Sequence, residues 1–325
     1  MSEQIATVVK NAGSHYLLSE LPQWDLFPAT LRGKIRLKAS EITNPIAVGD
    51  SVRYEWVADG AASDTPDGRR AVITEILPRR NYVIRRSTNL SRQAHIIAAN
   101  VDMAYLVVSL YFPEVKLPFL DRILVTCELY GIPATVVLTK TDMYRELAAE
   151  EIAHFRSIYE GAGYPVIETS VVTGEGIAEI REACRGRVNL FSGESGVGKS
   201  SLIKALDPSL DPKIGNISAA HLQGKHTTSL YEMYPLSGGG YVIDSPGIRG
   251  FGLVDVEKEE IARYFPEMLR VSADCRFTPC THTHEPGCAV LAAVERHDIS
   301  QSRYNSYLSM LSDKDENRYR QAPDS

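Results

Sequence analysis

The sequence predicts a multidomain chain: a small all-β barrel, then a central α/β domain on a mostly parallel sheet, then a short, mainly helical C-terminal part. Three observations predict it. Residues 1–98 hold short alternating apolar segments broken by turn residues. From residue 99 apolar strands alternate with helical stretches, the rhythm of βαβ units. Beyond residue 254 three of the five cysteines, Cys275, Cys280 and Cys288, fall close together. The divisions expected are therefore 1–98, 99–253 and 254–325, and a length of 325 residues suits two or three domains. With 44% hydrophobic and 23% charged residues the chain is globular in composition. No apolar run approaches membrane-spanning length and the first residues carry no targeting pattern, so we expect a soluble, cytoplasmic protein without a membrane partner, a monomer in its simplest form.

In the first part, Val52, Tyr54 and Trp56 alternate with Arg53 and Glu55, and Ile35 and Leu37 alternate with cations. The whole chain carries 35 Lys and Arg against 41 Asp and Glu, but residues 1–100 carry 13 against 10. Arg32, Lys34, Arg36 and Lys38 form one basic stretch. Residues 69–92 hold seven arginines, Arg79, Arg80, Arg85 and Arg86 among them, against the single acid Glu75. Phosphate neutralisation by such cations drives RNA binding, and small barrels commonly bind oligonucleotides, so these eight are the candidate RNA contacts.

In the second part, strands are expected at Val101–Leu110, Ala134–Thr139, Val166–Ser170 and Val188–Ser192, with helices at Phe119–Tyr130, Tyr144–Tyr159 and Gly176–Cys184. After the last strand comes Gly193-Glu194-Ser195-Gly196-Val197-Gly198-Lys199-Ser200, which fits the phosphate-loop pattern in its strand-then-helix setting. Backbone N–H groups of such a loop cradle phosphates, Lys199 reaches the β- and γ-phosphates, and Ser200 ligates Mg²⁺. The strand Gly240–Ile243 ends in Asp244-Ser245-Pro246-Gly247, where Asp244 suits the Mg²⁺ side and Gly247 the γ-phosphate. Between them, Gly224-Lys225-His226-Thr227-Thr228 lies in a polar stretch; Thr227 or Thr228 is placed to complete the Mg²⁺ shell. Upstream, Thr139-Lys140-Thr141-Asp142 closes a strand. Asp142 can accept two hydrogen bonds from guanine that adenine cannot supply, with the Lys140 stem along the base.

In the third part, Cys275, Cys280 and Cys288 with one imidazole, His282 or His284, supply a closed tetrahedral set suited to one structural zinc. Helices are expected at Ala289–His297 and Ser300–Leu311, with Arg303, Tyr304 and Tyr307 facing either core or partner.

The order T-K-T-D, S-V-V-T, G-E-S-G-V-G-K-S, G-K-H-T-T, D-S-P-G resembles the circularly permuted bacterial GTPases of small-ribosomal-subunit biogenesis, over nearly the whole chain. The resemblance implies an OB-fold domain at the N-terminus, a permuted GTPase domain and a zinc domain. It implies a GTP hydrolase acting late in small-subunit maturation, binding rRNA and stimulated by the subunit. It selects His282 as the fourth zinc ligand, and it adds Thr139, Ser170, Val171 and Ser201 to the GTP and GDP site. Thr139 stands where the family motif has Asn, which implies weaker guanine affinity with the same preference. The position after D-x-x-G is Ile248, unable to orient water, so the resemblance assigns that catalytic role to His226 beside Lys199. The rival readings are a nucleotide-gated RNA-binding module with incidental hydrolysis, and an ATP-using enzyme.

Overall fold

The computed structural model describes residues 4–12, 15–32, 46–58, 69–86, 94–210, 231–244 and 256–312. Five strands form the N-terminal barrel: β1 (Gln4–Ala12), β2 (His15–Ser19), β3 (Phe27–Leu31), β4 (Ser51–Ala58) and β5 (Arg69–Ile76). β1 pairs antiparallel with both β2 and β4, β3 runs parallel to β5, and β5 returns to β4, so the sheet closes on itself. Closure removes free edges. Period-two residues fill the interior: Ala6 and Val8, Tyr16 and Leu18, Val52 and Tyr54, Ala71 and Ile73. A hairpin follows, β6 (Tyr82–Arg86) with β7 (Ala94–Ala99). Its Val83, Ile97 and Ala98 pack into the α/β core rather than the barrel.

The central elements are β8 (Met103–Val108), α1 (Leu117–Leu129), β9 (Ala134–Leu138), α2 (Ala149–Ala162), β10 (Val166–Glu168), α3 (Ile177–Ala183), β11 (Val188–Gly193), α4 (Lys199–Leu206), β12 (Glu232–Pro235) and β13 (Tyr241–Asp244). The sheet order is β10-β9-β8-β11-β13-β12, parallel except for β12. Strand β9, Ala134–Leu138, is buried at every position and apolar at all but Thr135, because helices cover both faces. Leu106, Leu120, Ile123, Val136 and Phe155 fill one face; Tyr105, Val107, Val137, Ile180, Phe191 and Leu202 fill the other. Each such side chain contributes about 1.5–3 kcal/mol on burial. The helix expected from Tyr144 begins only at Ala149, because a 3₁₀ turn, Thr141–Met143, follows Lys140 in the left-handed region at φ 60°. β12 also meets β1, Lys10 opposite Glu232, with their side chains paired at 2.9 Å. Barrel and α/β sheet are thus one continuous sheet.

The C-terminal part holds a 3₁₀ helix (Lys258–Tyr264), α5 (Pro266–Ser272), α6 (Ala289–Glu295) and α7 (Gln301–Ser312) around Phe265, Met268, Val290, Ala293 and Tyr307. Val125 of α1 belongs to this core as well. Among the described residues no helix is long and apolar enough to cross a membrane.

Candidate functional site

Parallel pairing brings the carboxyl ends of β8, β9, β10, β11 and β13 to one edge of the sheet, where α/β proteins bind ligands. The phosphate-loop sequence lies there: Gly193 ends β11, residues 195–198 turn, and Lys199 opens α4. Gly196 and Gly198 take φ of 88° and 98°, where a side chain is strained. A Cβ on Gly198 would stand 3.6 Å from Lys140 Cε and 3.8 Å from Thr139 Oγ1. The stretch at 139–142 therefore lies directly on the phosphate loop.

Hydrogen bonds join the two. Thr139 Oγ1 lies 2.6 Å from the Val197 carbonyl and 3.0 Å from that of Val108. Lys140 Nζ donates to the carbonyls of Phe112 at 2.5 Å and Gly196 at 2.7 Å. Tyr144 donates to the Thr139 carbonyl at 2.6 Å, a support the sequence reading missed. Asp142 is exposed on its 3₁₀ turn, and Ser170 Oγ donates to its Oδ1 at 2.6 Å while accepting from the N–H groups of Val172 and Thr173. One carboxylate oxygen is oriented and the group still faces solvent, ready to accept two donors. Val171 is exposed beside it. Arg145 bridges Glu168 and Glu175 and holds the two loops together.

On the phosphate side Lys199 is buried and its ammonium is paired with Asp244 at the end of β13. Burial pulls its pKa down to about 8, and the Asp244 carboxylate favours the charged form. Ser200 and Ser201 sit in the first turn of α4, and Glu194 and Ser195 precede it in the loop. The oxygens of Ser200 and Asp244 are hard donors of the kind Mg²⁺ takes. His226, Thr227, Thr228 and Gly247 lie outside the described residues, as do Lys34, Arg36 and Lys38 and the side chains of Arg85 and Arg86.

The remaining RNA candidates have partners inside the protein. Arg79 places its fork on buried Asp50, Nε at 2.6 Å and Nη2 at 2.7 Å. Arg80 bonds Asp102 at 2.6 Å and Arg32 bonds Glu55 at 2.7 Å, both largely exposed. Freeing Arg79 for a phosphate would strand Asp50 in the interior, whereas Arg32 and Arg80 exchange partners at little cost.

In the C-terminal part the donor atoms of Cys275, Cys280, His282 and Cys288 lie within 4.8 Å of one another. Cys275 Sγ is 3.9 Å from Cys288 Sγ, and His282 Nδ1 is 3.6 and 3.4 Å from the two. Tetrahedral zinc with Zn–S near ~2.3 Å sets sulfurs about 3.8 Å apart, so the four fit that ion. Burial pushes the Cys280 thiol up to about 12, and a bound cation would favour its thiolate. His284 is exposed and bonded to Thr283 instead. Tyr304 donates to the His282 carbonyl at 2.8 Å and Tyr307 to that of Thr281 at 2.6 Å, so both face the core.

Against known proteins, residues 76–254 match the RsgA GTPase family. The chain is 49% identical over 315 residues to the small ribosomal subunit biogenesis GTPase RsgA of Bacteroides fragilis, covering 97% of this chain and 98% of the relative. It is 46% identical to RsgA 2 of Bacteroides thetaiotaomicron over the same shares. The crystal structure of YjeQ from Thermotoga maritima superposes with a TM-score of 0.76 at 31% identity, over 98% of this chain and all of that one. That of YloQ, a circularly permuted GTPase, superposes at 0.71 and 25% identity, over 98% of each.

Proposed function

The chain belongs to the RsgA GTPase family, and from that premise we propose that it hydrolyses GTP in the service of small-ribosomal-subunit maturation. The observation that carries the reading is the contact between Lys140 and the phosphate loop. It joins a base-reading strand that precedes the loop in sequence to the loop itself, the permuted order of a GTPase. We assign the three divisions at 98 and 253 to an OB-like barrel, the GTPase domain and a zinc-bearing lobe.

Asp142, aimed by Ser170, accepts from guanine N1–H and the exocyclic amine; adenine would leave it unpaired. The phosphate loop's N–H groups and Lys199 take the β- and γ-phosphates, the lysine exchanging Asp244 for phosphate oxygen. Ser200 and Asp244, with Thr227 or Thr228, would hold Mg²⁺, which would neutralise charge on the β- and γ-phosphates. Water attacks the γ-phosphorus, the bond to the β-bridging oxygen breaks, and GDP and phosphate leave. We assign the orienting of that water to His226 and the γ-phosphate contact to Gly247. The Cys₃His set would hold a zinc that shapes the lobe. Arg32, Arg80 and the basic stretch at 34–38 are assigned to rRNA, and the working form is a cytoplasmic monomer.

The test is phosphate release from GTP and ATP, with and without purified small subunits, Lys199→Ala as blank. Stimulation confined to GTP and lost in His226→Ala is the expected result. Equal slow rates with and without subunits would favour a nucleotide-gated RNA-binding module, and a preference for ATP would overturn the role of Asp142.

A further inference from the structure

The turn after β8 carries an exposed aromatic pair at the nucleotide edge. Tyr111 is 42% and Phe112 54% exposed. Exposure alone does not single out Phe112, since Leu147 and Val172 are more exposed. Its position does. Its carbonyl accepts from Lys140 Nζ at 2.5 Å, the same ammonium that bonds Gly196 of the phosphate loop. The next residue, Pro113, lies beside that loop, its Cδ 3.8 Å from where a Gly196 Cβ would stand. The turn is braced from behind: Tyr111 bridges to Glu114, and its ring meets Tyr144 edge-on at 5.5 Å. Tyr144 in turn bonds the Thr139 carbonyl. The backbone of Phe112 is thus fixed between Lys140 and the phosphate loop, while its ring, tilted against that of Tyr111 at 6.3 Å, stays about half exposed.

A large apolar ring held on a braced turn at a ligand edge suits a flat partner. From this geometry we propose that Phe112 forms an aromatic wall of the nucleoside site and packs against the purine. The inference rests on the guanine reading above and deepens it. Asp142 reads the polar edge of the base, while Phe112 supplies face contact that is blind to the exocyclic groups.

The experiment measures affinities of the full chain for GDP, inosine diphosphate and ADP, with Phe112→Ala and Phe112→Trp. Phe112→Ala should weaken GDP and inosine diphosphate by the same factor, about 5- to 150-fold, the range of base–aromatic stacking. Phe112→Trp should keep the affinity, and GDP should quench its added indole emission beyond any change at Trp24 and Trp56. Unchanged GDP affinity in Phe112→Ala would overturn the proposal. So would a loss on GDP but not on inosine diphosphate, or normal nucleotide binding with lost subunit stimulation, which would make Phe112 a docking residue. If the wild type prefers ADP, the guanine reading fails, and the ratio of wild type to Phe112→Ala on ADP still decides the wall.

Discussion

Thr139 spends its one hydroxyl on the phosphate loop. The side chain is buried, and its oxygen reaches the Val197 carbonyl across 58 residues of sequence. Removing the hydroxyl leaves that carbonyl short of a partner at a cost of about 1–3 kcal/mol, felt at the loop that must hold phosphate. Thr139→Val should weaken GTP and GDP alike by about 5- to 150-fold, whereas Thr139→Ser should bind as the wild type does. Nucleotide titration checks this, and equal affinities for Val and wild type would refute it. The T-K-T-D spacing was enough to mark the residue in the sequence, but its task was not legible there. Val197 contributes a backbone carbonyl, and a carbonyl has no residue-type signature. Asp142 differs, because the role proposed for it follows from a carboxylate at that position, and Ser170, which orients it, lies in a motif visible in the chain.

At the scale of the element, α7 shows how a helix can be foreseen while its face is not. The stretch Ser300–Leu311 predicts a helix, and Gln301–Ser312 forms one. Its buried positions are Arg303, Tyr304, Ser306, Tyr307 and Met310, a stripe of helical period headed by an arginine. An arginine ordinarily marks the solvent face. Here it is enclosed, with Nη1 on Asp121 of α1 at 2.8 Å, Nε on Glu267 of α5 at 2.7 Å, and Phe265 at 4.7 Å from the guanidinium carbon. Its partners stand 182 and 36 residues away, so local pattern could not announce them. Arg303→Met should destabilise the protein by about 3–5 kcal/mol, because two carboxylates are left buried without their cation. Combining it with Asp121→Asn and Glu267→Gln should recover most of that loss. Urea melts of the single and triple variants test the point; an Arg303→Met melt matching the wild type would mean that the cluster stabilises nothing.

At the scale of the molecule, the central domain has different seams with its two neighbours. The barrel joins it edge to edge through β1 and β12, with Trp24 stacked on Tyr241 at 5.6 Å and Arg80 paired with Asp102 at 2.6 Å. The C-terminal lobe instead shares a helix: Val125 of α1 belongs to the lobe's core while Leu120 and Ile123 of the same helix belong to the α/β core. Residues 256–312 are a short length from which to build a core, so a zinc held by the Cys₃His set would supply much of the lobe's stability, on the order of 10 kcal/mol. Tyr304 and Tyr307 tie that metal loop to α7, and Arg303 on the same helix ties α7 to α1. Loss of the ion should therefore not stop at the lobe. Stripping the purified protein with a strong chelator, with Cys288→Ser as the genetic equivalent, should release about one zinc per chain. Hydrogen exchange should then quicken throughout α6 and α7 and, to a lesser degree, in α1, while β9 keeps its protection because it is hydrogen-bonded between two strands, β8 and β10. Unchanged exchange in α1 would show that the lobe folds and unfolds apart from the GTPase domain, and that Arg303 fastens two bodies without coupling them.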